Sequence, residues 1–390
     1  MQRLIINSLT TLFNFCVQRD FRGDDPFDGL SSPYFQRLPL HHTKWMRIAW
    51  LQLVKRCPVN IRPLLAIKPL DNPKALALSV SALLLLKKSG YVSITDQMLF
   101  SLYERMMGLR TSGYHGDAWG YPFDWQSRAF FVPAGTPNII VSTFVGHALL
   151  DLYAHFPDEK YKQHACSIAE FIGEDLNRTT DKKGNICFSY TPLDFSQIYN
   201  ATLLGARLLS RLYHITNSDV YYHNARSAVT FCIHRQAKDG SWSYGSAQNQ
   251  QWIDSFHTGY NLEALWDYME YTGDREYSEH FERGFSYYIK TFFTGEGVPR
   301  YYSHKTYPID VHATAQLIIT LCRTKKLKSY REIAEKVLDW TIKALQAPNG
   351  GFYFQKNQWY INKTIYLRWS CAWMLLALSH FLCYEKKHTV

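Results

Sequence analysis

Apolar residues recur along this chain at helical spacing, in blocks separated by short polar or glycine-rich breaks. The stretch from Gln236 to Asp274 shows the unit most plainly. A helix ends at the Asp239-Gly240 turn, an aromatic run through Trp242 and Tyr244 follows, and a second helix starts near Asp254. That helix presents Tyr260, Leu262, Leu265, Trp266 and Met269, with Asp254, His257 and Asn261 toward its start. Apolar residues three and four apart give a helix one buried face.

The same order recurs. The central loop glycines Gly184, Gly240, Gly297 and Gly350 are 56, 57 and 53 residues apart. A long aromatic loop from Gly113 is an earlier copy. A period of this length with two helices per unit predicts a helical repeat array, because one helix pair cannot bury its apolar face alone. Outer helices are expected over 43–56, 94–110, 158–176, 219–236, 276–292 and 328–346. Inner helices are expected over 72–89, 138–155, 196–214, 254–272, 308–324 and 364–383. The economical fold is all-α: an (α/α)6 toroid with short β-hairpins on one rim. Residues 1–42 read as an N-terminal amphipathic helix and lead-in loop, and residues 43–390 as a single toroid domain. All inner-helix N-termini then face the hairpin rim, where their partial positive charge favours an anion.

Composition narrows the classes. An apolar share of 46% against 19% charged fits a folded globule with a large core. The formal charge of +10 favours an acidic partner. Its Lys and Arg are dispersed, so no nucleic acid is expected. The eight cysteines form no C-x-x-C pair and several lie in apolar runs. They read as reduced core thiols in a cytoplasmic protein, with no metal site. No cofactor is expected. Residues 1–20 are interrupted by Asn7, Ser8, Thr10, Thr11 and Asn14, unlike a signal peptide or a membrane span. Packing on the domain is the first reading of that helix, and weak membrane-surface association the second.

Candidate chemistry collects where the inner helices begin. Asp254 and His257 are three residues apart on one helical face, and Asp310 and His312 follow Pro308 at a strand-to-helix junction. Either carboxylate would orient its histidine for acid/base work, although each also suits a helix N-cap. Tyr307 is a further acid/base candidate. Trp119, Trp242 and Tyr260 are candidate platforms for sugar stacking, and Asn138 and Asn200 candidate hydrogen-bonding groups. Arg300 and Arg368 are candidate cations for a substrate carboxylate. The first long loop adds Tyr114, His115, Asp117, Asp124 and Arg128.

Gln236-Ala-Lys-Asp-Gly-Ser-Trp242 and Gln346-Ala-Pro-Asn-Gly-Gly-Phe352 resemble the Q-x-x-[DN]-G-x-[WF] repeat of terpenoid cyclases and protein prenyltransferases. That resemblance implies an α/α toroid. The chain lacks the D-x-D-D and D-D-x-x-D motifs of the cyclases and the Cys/His zinc set of the prenyltransferases. The segments at 25–33, 72–78, 135–138 and 307–312 are similar to proteins encoded among bacterial polysaccharide genes, often labelled δ-aminolevulinate dehydratase. That activity implies a β/α barrel with Schiff-base lysines, which the helical pattern here does not follow. The toroid is also that of uronyl 5-epimerases and polysaccharide lyases. The resemblance therefore implies a carbohydrate-active protein of polysaccharide biosynthesis or modification. Its expected ligand is an acidic, uronate-containing oligo- or polysaccharide, modified by epimerisation or β-elimination. The alternatives are a glycoside hydrolase using Asp254 and Asp310, and a non-catalytic glycan-binding or assembly protein.

Overall fold

The computed structural model describes residues 1–127 and 130–388, so Arg128 lies outside the described residues. The chain opens with helix α1 (Gln2–Gln18), a short α2 (Pro33–Gln36) and α3 (Lys44–Arg56). An alternation then sets in: α4 (Pro73–Ser89), α5 (Asp96–Gly108), α6 (Ile139–His155), α7 (Glu159–Glu170), α8 (Tyr199–Thr216) and α9 (Asp219–Ile233). It continues through α10 (Ser255–Thr272), α11 (Ser278–Phe292), α12 (Val311–Arg323), α13 (Arg331–Leu345) and α14 (Ala372–His388).

The even-numbered helices from α4 to α14 pack side by side, and α14 returns to α4, closing an inner ring of six among the described residues. Their burial explains the position: α4 and α6 are apolar almost all round, as helices with neighbours on every side must be. The odd-numbered helices α5 to α13 each pack on the inner helix preceding them in the chain. The expected α/α toroid is thus the observed one. Short antiparallel pairs join at the rim: β1 (Trp125–Gln126) with β2 (Phe131–Val132), and β3 (Arg178–Thr180) with β4 (Ile186–Phe188). A three-stranded sheet is made from β5 (Ile309–Asp310), β6 (Tyr353–Lys356) and β7 (Ile361–Ile365). Because β7 and a π-helical turn (Leu367–Cys371) precede α14, the last inner helix starts later than its apolar pattern suggests.

One helix is misplaced in the sequence reading. The segment expected as the first outer helix, now α3, packs on a 3-10 turn (Asp28–Ser31) and on β1 at the rim. The outer place beside α14 and α13 is taken by α1, whose Ile5, Leu9, Leu12 and Cys16 are fully buried. The apolar face of α1 packs inside the molecule. Among the described residues, no helix is long and apolar enough to cross a membrane.

The Q-x-x-[DN]-G-x-[WF] motif explains how α1 finds its place. Gln236 Nε2 donates to the carbonyl of Gly240 and to that of His280 on the next outer helix, α11. Gln346 Nε2 repeats this with Gly350 and with Ser8 on α1. Gly240 and Gly350 sit at φ of +96° and +92°, and a Cβ on either would meet an outer-helix carbonyl at 2.4 and 2.3 Å. Only glycine satisfies both demands. The motif clamps each hairpin onto the following outer helix, and for the last hairpin that helix is the chain's first.

Candidate active site at the mouth of the ring

The rim is built by interlocking hairpins with the inner helices. The first free N–H of α6, at Ile139, donates to the Tyr190 carbonyl of the next hairpin. Tyr199 N does the same to Tyr244 O, and Ser255 N to Tyr301 O. Each hairpin thus satisfies a helix-end donor of the unit before it. It also places one tyrosine per unit at the mouth.

Asp254 caps α10, accepting from His257 N through one oxygen. Its other oxygen lies 2.7 Å from His257 Nδ1 and 2.9 Å from the Trp252 indole nitrogen, which donates to it. The carboxylate is buried, while the His257 side chain keeps 20% of its surface. Nδ1–H donation to the carboxylate leaves Nε2 as the acceptor. Tyr244 lies beside this ring, stacked on Trp252.

Asp310 behaves differently. It caps α12 through His312 N, but its carboxylate does not reach the His312 ring. Both oxygens accept from the Trp369 indole, and one also from Gln355 Nε2 at 2.6 Å. The expectation that Asp310 orients the His312 imidazole is therefore corrected. Burial pushes the Asp310 carboxyl up to about 6. The His312 ring is buried against Phe256, Trp369 and Trp373. Its Nε2 lies 3.0 Å from the Tyr260 hydroxyl, and its Nδ1 has no partner among the described residues. Burial, with Lys74 and Arg368 adding to it, pushes His312 well below the ordinary histidine range.

His257, Tyr260 and His312 therefore meet at the mouth, with Asp254 behind one histidine and Asp310 beside the other. Other predicted residues do not join them. Trp119 and Trp242 are 0% and 3% exposed and donate to helix carbonyls at Met106 and Cys232. Both are wedges between helices, held by those indole bonds, rather than the sugar platforms expected. Tyr307 is 36% exposed on the rim, outside the buried cluster. Arg300 holds its hairpin through a backbone bond to Phe292, and its guanidinium Nε is buried without a partner among the described residues. Asn138 caps α6; its side-chain nitrogen and the side-chain oxygen of Asn200 are buried and have no partner among the described residues. Arg368 is engaged: Asp25 takes its Nε and its NH2, the latter at 2.8 Å. Its role as a free carboxylate clamp is corrected accordingly.

Several residues at the mouth escaped the sequence reading. The lead-in segment folds over it, held by the Asp25–Arg368 pair and by a buried pair of Arg62 with Asp28 at 2.7 Å. Phe27 packs edge-on against Trp125 and Trp369, and the Lys55 ammonium of α3 lies 4.3 Å from the Phe27 ring centre. Burial lowers Lys55 to about 8. A narrow cleft remains, lined among others by Asp25, Asn72, Phe123 and Arg368. The readable signal was the aromatic-x-Tyr pattern of Phe188-Ser-Tyr190 and Trp242-Ser-Tyr244, which sets the mouth tyrosines in register.

No family model and no curated protein matches the chain by sequence. Solved structures match its fold. A cellobiose 2-epimerase from Bacillus thermoamylovorans superposes with a TM-score of 0.62 at 12% identity, over 81% of this chain and 90% of that one. A family 76 α-mannanase from Bacteroides thetaiotaomicron gives 0.61 at 14%, over 82% and 87%. A polysaccharide lyase gives 0.57 at 12%, over 80% and 91%. The likeness agrees with the toroid resemblance to epimerases and lyases and, at these identities, concerns the fold.

Proposed function

We propose that the protein modifies an acidic glycan by removing the proton α to a uronate carboxylate, with His257 as the base. The observation that carries this reading is the Asp254–His257 pair, with the carboxylate locked by the Trp252 indole and the ring partly open. Its Nε2 takes the C5 proton of the uronate, and the electron pair passes into the carboxylate as an enediolate. Return of a proton from the opposite face gives the C5 epimer. Loss of the 4-O substituent gives an unsaturated uronate instead. The Tyr260 hydroxyl is the donor for either outcome: it gives its proton to the substrate, and a neutral His312 protonated at Nε2 donates a hydrogen bond to the tyrosinate left behind. The neighbours' descriptions as epimerase and lyase support such chemistry on this fold. The positive ends of the inner helices support an acidic ligand. The eight free thiols fit a reducing compartment, where an acidic polysaccharide or its precursor is built or trimmed.

Hydrolysis by two carboxylates finds less support. Both oxygens of Asp254 and of Asp310 are already engaged by protein donors. The test is turnover of uronate oligosaccharides by His257→Gln and Asp254→Asn. Both are expected to lose roughly 10²–10⁴-fold in kcat with the helical circular dichroism retained. Asp254→Asn fails because an amide keeps one accepting oxygen, which cannot serve the His257 backbone N–H on one side and the ring and indole on the other. Variants as active as the parent overturn the assignment.

A further inference from the structure

Lys74 stands two residues inside the N-cap Asn72 of α4 and is 3% exposed. Its ammonium nitrogen lies 4.1 Å from the ring centre of Phe144, 5.3 Å from that of Trp373 and 5.4 Å from that of Tyr260. Those rings come from α6, α14 and α10. In the inner ring α10 lies opposite α4, so a nitrogen reaching Tyr260 sits near the ring's axis. No carboxylate pairs with it among the described residues: Asp25, the acid that acts on it, is committed to Arg368. A buried amine with three aromatic faces and no acid is costly, and the cost is recovered when a ligand supplies the anion.

We infer that Lys74 is the seat of the substrate's carboxylate, the group that selects an acidic over a neutral glycan. The inference rests on the glycan reading above. It assigns to Lys74 the part that Arg368 and Arg300 do not fill. The carboxylate enters beside the cleft lined by Asn72 and Arg368, and its carbon chain lies on the aromatic faces that line the nitrogen. In the free protein, burial and the neighbouring Arg368 hold the amine well below the ordinary lysine range. The other titratable groups facing it are Tyr260, His312 and Asp25, with His257 beyond His312. A carboxylate arriving beside it pushes the amine back up, so binding is expected to be accompanied by proton uptake.

The experiment is calorimetric titration of trigalacturonate and of neutral cellotriose into the full chain, in two buffers of different ionisation heat. Lys74→Met and Lys74→Gln are compared with the parent. The parent is expected to prefer trigalacturonate and to take up protons on binding it. Both variants are expected to lose at least tenfold in affinity for trigalacturonate, to keep their affinity for cellotriose, and to take up no proton. Lys74→Met is also expected to melt higher than the parent, because it removes the uncompensated amine. Unchanged trigalacturonate affinity in the variants, an equal loss for both sugars, or persistent proton uptake overturns the role of Lys74 alone. A parent that binds neither sugar, or only the neutral one, overturns the acidic-glycan reading and this inference with it.

Discussion

Asp254 and Asp310 hold the same place in successive units, and both cap an inner helix. Only one serves a histidine ring. The spacing supplies the reason. At i+3 a helical side chain returns over its cap residue, so His257 meets Asp254, whereas His312 at i+2 turns toward the ring's axis and leaves Asp310 to Trp369. The capping role was legible in each sequence. The partner of the second carboxylate was not, because Trp369 is 59 residues away and is aimed by a π-helical turn. Burial raises Asp310 from an ordinary value of 3.8 to about 6. Between these values the folded chain holds a proton that the unfolded chain has released, so stability falls as pH rises from about 4 to about 6. The shift corresponds to about 3 kcal/mol. Chemical denaturation from pH 3.5 to 7 should show this slope in the parent, and Asp310→Asn should flatten it.

At the scale of elements, α1 and α3 were interchangeable in the sequence. Both are amphipathic and of similar length, and nothing local to either says which neighbour it meets. The answer lies at the other end of the chain, where Gln346 and Gly350 dock on Ser8 and Thr11. The polar residues that seem to interrupt α1 are the surface on which that clamp closes. Gly350→Ala should therefore destabilise the fold by about 1–3 kcal/mol, since it forces a Cβ into a left-handed backbone and against the Thr11 carbonyl. Leu9→Ala, at a fully buried position of α1, should cost about 2–4 kcal/mol. Urea midpoints measure both. Values near zero would mean that α1 is not part of the folded ring.

At the scale of the whole molecule, two polar layers lie inside an otherwise apolar ring. One is the mouth. The other, deeper layer joins Arg207 to Asp267 at 2.7 Å and to Glu263 at 3.2 Å, with Arg323 on Asp267 as well. Alongside it, Arg211 meets Asp151 at 2.7 Å. The sequence shows each of these as an isolated charge in an apolar helix, and only closure of the ring brings them together. Asp267→Ala would leave Arg207 and the partly buried Arg323 to share Glu263 alone, and should cost about 3–5 kcal/mol, read from the denaturation midpoint. The same closure brings His257, Tyr260, His312 and Lys74 from three helices to one mouth, under a lead-in segment whose covering role local patterning does not encode. Proton abstraction there is tested most directly by incubating the protein with a uronate oligosaccharide in deuterium oxide and following C5 deuteration by NMR. The parent should incorporate deuterium at C5, in returned substrate or epimer, and His257→Gln should not while remaining folded. Incorporation by the variant at the parent's rate, or modification of the glycan with no deuterium entering C5 in the epimer and no C5 proton lost in an unsaturated product, would contradict the account.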